Sequence, residues 1–129
     1  MAKETLLESD ITAGAKFIQT LDKRGQPVDA ALWFYYPDSC QWKLLLSSPT
    51  FDNKDLTKSY TKISEILTSE QEIGKNISIA DVKILNQTDP MMKLLKVIVR
   101  TDKGPNRIRM TSNVLNGIYV EDALIYRNM

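Results

Sequence analysis

Leu7, Ile11, Gly14, Ile18 and Leu21 recur at alternating spacings of four and three, with Ala15 and Phe17 beside them. That rhythm predicts an amphipathic helix of about four to five turns. Lys23 and Arg24 suit its last turn, and Gly25 can take the left-handed conformation that closes a helix. Pro27 prevents continuation. From Ala30 to Tyr36 the pattern changes to aromatic-rich alternation. Ala31, Trp33 and Tyr35 fall on one face, and Leu32, Phe34 and Tyr36 on the other. Both faces are apolar, which predicts a central strand covered on each side. Pro37-Asp38-Ser39 reads as a turn, and Trp42 to Ser47 as a second strand forming an antiparallel hairpin with the first.

Pro49 ends the second strand. Asp52 is suited to cap a helix and Asp55 to sit in its first turn. Leu56, Tyr60, Ile63 and Leu67 mark that helix, which should end near Glu70, before Gly74 and Asn76 break the chain. Ile77 to Leu85 is expected to be a third strand, interrupted at Ala80-Asp81. Asp89-Pro90 has the form of a cap followed by a proline at the first helical position. Met91, Leu94, Leu95 and Ile98 then give a third helix ending near Arg100. After a loop at Gly104-Pro105-Asn106, Arg107 to Val114 alternates as a strand. Asn116-Gly117 is a strong hairpin signal, and Ile118 to Tyr126 is the last strand. The order α-β-β-α-β-α-β-β predicts a single α+β domain over residues 1–129. Its sheet should be mainly antiparallel and five-stranded, with three helices on one or both faces.

Composition narrows the chemistry. Histidine is absent from the 129 residues and cysteine occurs once, at Cys40. Ser-His and Cys-His nucleophile pairs are therefore excluded, as are the usual zinc sites. No intrachain disulfide can form, and the longest apolar runs are short and broken by lysines. A cytoplasmic protein without a bound cofactor or metal is expected. Seventeen basic against sixteen acidic side chains leave a net charge of +1. Attraction to a nucleic acid must then come from local clustering, not from a global field.

Three groups of residues are candidate sites. Lys93, Lys96, Arg100, Lys103, Arg107 and Arg109 form a basic segment broken only by Asp102. If the helix end and the following strand lie together, these cations would converge on a polyanion such as nucleic acid; otherwise they form a solvated face and a charged edge. Asp38, Asp81 and Lys83 follow the pattern of a magnesium-dependent nuclease, in which carboxylates hold the metal and lysine positions water. That chemistry needs no histidine. The competing reading leaves Asp38 in an ordinary turn. Trp33 and Trp42, among the interleaved aromatics of the first hairpin, would make a partner or homodimer interface if exposed, and core if not. Glu121-Asp122 would suit a cation or a strand rim equally. Cys40 has no neighbour in sequence to activate it.

The strings Trp33-Phe34-Tyr35-Tyr36-Pro37-Asp38, Trp42-Lys43-Leu44 and Asn116 to Ala123 resemble segments of short bacterial proteins that carry no assigned activity. The resemblance implies a bacterial, stand-alone, intracellular protein and assigns no residue a role. The functional expectation is a non-catalytic binding or regulatory module acting through a surface, by self-association or by docking a protein. A magnesium-dependent nuclease and polyanion binding through residues 93–109 are the alternatives.

Overall fold

A computed structural model describes residues 3–51, 55–115 and 117–129. Helix α1 spans Glu8–Lys23. Its first turn is held by the Asp10 carboxylate, which accepts the Leu7 backbone N–H at 2.8 Å. Gly25 follows at φ 74°, the left-handed conformation the sequence predicts there. The hairpin strands are β1 (Ala30–Tyr36) and β2 (Gln41–Ser47). They pair antiparallel from Ala30 opposite Ser47 to Tyr36 opposite Gln41.

Helix α2 spans Leu56–Ser69 and is capped by Asp55, whose side chain accepts the Thr57 N–H at 3.1 Å. The cap expected at Asp52 lies outside the described residues. The sequence reading ends this region in a break, but Gln71–Gly74 forms a further short helix, α3, that buries Ile73. The described chain therefore has four helices, not three. The strand expected over residues 77–85 is also shorter. Asp81 accepts bonds from the Ser78 N–H at 3.0 Å and its hydroxyl at 3.3 Å, which close a 3₁₀ turn over Ile79–Asp81. Only Val82–Ile84 remains extended, as β3. Helix α4 covers Pro90–Ile98, with Asp89 accepting the Met91 N–H at 2.9 Å. Strands β4 (Ile108–Leu115) and β5 (Ile118–Asn128) complete the chain. Asn116, half of the expected hairpin signal, lies outside the described residues.

The strand order is β3-β2-β1-β5-β4. β1 is central, paired antiparallel with β2 and β5, and β4 is antiparallel to β5. β3 lies parallel to β2, because the chain crosses back over the sheet through α2 and α3 before re-entering it. The sheet is therefore mixed, which corrects the expectation of a mainly antiparallel one.

Two cores follow from this layering. On one face, Ala31, Trp33, Leu44 and Leu124 pack under Phe17, Ile18 and Leu21 of α1 and Ile63 of α2. On the other, Leu32, Phe34, Leu45 and Ile125 pack under Met92 and Leu95 of α4. Each fully buried side chain of this kind contributes about 2 kcal/mol of apolar burial. Both faces of β1 are covered, which accounts for its unbroken apolar run. No helix among the described residues is long and apolar enough to cross a membrane.

Candidate docking surface on α4 and the β4–β5 hairpin

β1 pairs with β5 only as far as Phe34 opposite Ala123. Beyond that rung, β4 and β5 continue together from Thr111 opposite Asp122 to Leu115 opposite Ile118. This extension is a two-stranded ribbon, a form that needs a third strand or a covering helix for independent stability. It carries apolar side chains into solvent: Val114 is 69% exposed and its cross-strand partner Tyr119 is 48% exposed. By alternation, Ile118 lies on the other side of the ribbon. There it closes a shallow groove of about 350 Å³ with Pro90, Lys93, Leu94 and Val97 of α4. Val97 is 83% exposed, and Ile98 and Ile108 are also exposed. Large apolar side chains left in water are therefore concentrated on α4 and the hairpin.

The basic segment meets this region without forming a single patch. Lys96 reaches Asp29 at 3.7 Å. Arg107 grips Glu8 of α1 with both terminal nitrogens. Arg109 makes a bidentate pair with Asp122, both bonds at 2.6 Å, and its guanidinium lies 5.7 Å from the centre of the Trp42 ring. The Glu8 and Asp122 contacts raise the pKa of the two arginines, and Arg107 holds Glu8 below the usual carboxylate range. Among the described residues, Lys93, Arg100 and Lys103 make no ion pair. Lys93 lines the groove itself. The six cations are thus divided: Lys93 and Lys96 ride on α4, over one face, while Arg107 and Arg109 turn to α1 and Trp42 on the other.

Of the two readings of the tryptophans, interface if exposed and core if not, the structure places both in the core. Trp33 is 0% exposed and Trp42 is 5% exposed, both on the face covered by α1. Neither presents a surface to a partner, because both faces of the first hairpin are roofed. Asp38 is exposed in the β1–β2 turn. Asp81 is buried and taken up by the Ser78 turn, and the Lys83 ammonium lies 5.2 Å over the Tyr36 ring. Among the described residues, no group of three or more His, Cys, Asp or Glu side chains is placed to hold a metal ion. Asp122 is occupied by Arg109, and Cys40 is an exposed thiol donating to the Pro37 carbonyl at 3.5 Å.

Two residues that organise this architecture escaped sequence reasoning. Arg127 is 1% exposed, yet its guanidinium donates to both oxygens of Asp22, at 3.0 and 2.8 Å, and to the carbonyls of Val28 and Lys103. Tyr126 is buried and donates its hydroxyl to the Ile11 carbonyl at 2.7 Å while accepting from Trp33 Nε1 at 2.9 Å. Burial holds the Tyr126 phenol far above its ordinary pKa. An Arg-Asn pair at the end of a strand carries no sequence sign of burial. Comparison with known proteins gives no match to a protein family, to a curated protein or to a solved structure.

Proposed function

We propose that the protein is a non-catalytic binding module that docks another protein through α4 and the β4–β5 hairpin. The observation carrying this reading is the open groove of about 350 Å³ between α4 and Ile118 of the ribbon, with Val97 exposed on its wall and the exposed Ile98 beside it. Apolar side chains clustered this way are the usual mark of a docking site. Charge narrows the partner. α4 has no acidic residue, and Lys93 and Arg100 at its rim are not neutralised within the described chain. A segment with apolar side chains flanked by Asp or Glu complements that rim.

The test is binding of acidic amphipathic peptides to the intact chain. Val97→Asp and Lys93→Glu, both on the groove wall, should each weaken capture at least tenfold while leaving thermal stability within about 0.5 kcal/mol, since both positions are exposed. Equal binding by the variants and the parent would refute the reading. Polyanion binding is supported less well, since three of the six cations already have carboxylate partners. The nuclease reading gains no metal-binding constellation among the described residues.

A further inference from the structure

We propose that Ser112 is the positioning residue of the α4 groove: held in a left-handed backbone conformation, it reverses the pleat of the β4–β5 ribbon and so aims Ile118 at α4. This deepens the docking reading and rests on it. The ladder pairs Thr111 with Asp122 and Asn113 with Val120, and skips the rung of Ser112 and Glu121 between them. Ser112 has φ 49°, a conformation that residues other than glycine, asparagine and aspartate rarely adopt. Among the described residues Cys40 shares it, but Cys40 lies in a turn, whereas Ser112 lies inside a strand. Local breaks in a ladder re-aim the side chains beyond them.

The two cores record the reversal. On β5, Ala123 and Ile125 pack on the α4 side and Leu124 on the α1 side. Asp122 keeps to this alternation, since its partner Arg109 lies over Trp42 on the α1 side. Strict continuation would turn Glu121 and Tyr119 towards α4, and Val120 and Ile118 away from it. The observed order is the opposite. Val120 is 2% exposed and packs into the core beneath α4, and Ile118 lines the groove with Leu94 and Val97. Tyr119 and its partner Val114 are left on the other side, in solvent.

The reversal has a physical reason. It keeps the Glu121 carboxylate out of the apolar layer beneath α4 and buries Val120 there instead. Asn113 supports the twist, because its Nδ2 donates to the Thr111 carbonyl at 3.1 Å and so bridges Ser112 from one flank to the other. Strained residues persist where their surroundings enforce them, and they gather at binding sites.

The Ser112 side chain is exposed, so substitution there tests the backbone without disturbing the core. An ordinary strand position ranks valine above serine above glycine, and a left-handed position inverts that order. Ser112→Gly should raise the melting temperature by about 2–4 °C, and Ser112→Val should lower it by more. A lowered melting temperature for the glycine variant would overturn the proposal, even where the valine variant does not fold. Nuclear Overhauser contacts between the methyl groups of Ile118 and those of Leu94 or Val97 read the aim directly. They should persist in Ser112→Gly and vanish in Ser112→Val; their survival in the valine variant means that another residue sets the face. Capture of a synthetic amphipathic peptide of Glu and Leu should stay within about twofold in Ser112→Gly and fall about tenfold or more in Ser112→Val. Loss of the methyl contacts with undiminished capture would sink the positioning role. Absence of capture by the parent would refute the docking reading alone, because the methyl contacts and melting temperatures still decide whether Ser112 sets the face.

Discussion

Gly14 sits in the apolar stripe of α1, where alanine would ordinarily favour the helix by up to about 1 kcal/mol. A Cβ at that position would lie 2.2 Å from the Tyr126 hydroxyl. The glycine therefore lets the phenol reach the Ile11 carbonyl while Trp33 donates to it. Gly14→Ala should destabilise the fold by about 2–4 kcal/mol, through overpacking and loss of a buried relay. Tyr126→Phe removes the same hydroxyl, so the double variant should lose clearly less than the sum of the two single changes. Denaturant unfolding of the four proteins checks this; strict additivity would contradict it. Asp22 gives a second prediction. The bonds from Arg127 hold its carboxyl below the usual aspartate range. A depressed folded pKa means that the folded state binds fewer protons than the unfolded chain. The stabilisation is then complete above the unfolded value of about 4 and is lost as pH falls through the folded value. Asp22→Asn should cost about 3 kcal/mol at neutral pH, because it leaves a buried guanidinium without its counter-charge. The gap from the parent should narrow below about pH 4. A gap unchanged at acid pH would disprove the linkage.

Elements succeed or fail on their ends. Helix α4 is nine residues long, too short to persist by propensity alone. It depends on the Asp89 cap, on Pro90 at the first turn, and on Met92 and Leu95 packing against the sheet. Asp89→Ala should cost about 1 kcal/mol. The loss should register first as faster hydrogen exchange of the α4 amides, with α1 unaffected; uniform acceleration in both helices would contradict it. The opposite case is β3. Its apolar pattern suggests a longer strand, but Asp81 takes the Ser78 N–H and closes a turn instead. Side-chain capping competes with the strand locally. β5 departs the other way: its apolar pattern ends at Tyr126, yet Arg127 and Asn128 continue it, the Arg127 guanidinium bonding Asp22 and the Asn128 amide nitrogen the Val99 carbonyl.

At the scale of the molecule, ion pairing limits what the basic segment can do. Only Lys93, Arg100 and Lys103 lack a described carboxylate partner, so DNA binding, if measured, should have a log–log salt slope no steeper than about −3. A slope near −6 would mean that all six cations release their partners for phosphate. The order of elements other than α3 and the 3₁₀ turn, the central place of β1 and the helix caps at Gly25 and Asp89 follow from local spacing and backbone chemistry, which act within a few residues along the chain. The candidate surface was only half legible. The cations stand out in sequence, but Val97, Val114 and Tyr119 resemble core residues until the sheet is assembled. The tryptophans were legible as core, since a strand apolar on both faces calls for cover on each side, and the interface alternative fails because both are buried. Tertiary structure alone decided that β3 runs parallel, that Arg127 is buried, and that the ribbon overhangs β1. Each of those outcomes depends on groups far apart in sequence meeting across the sheet, and no local pattern encodes such a meeting.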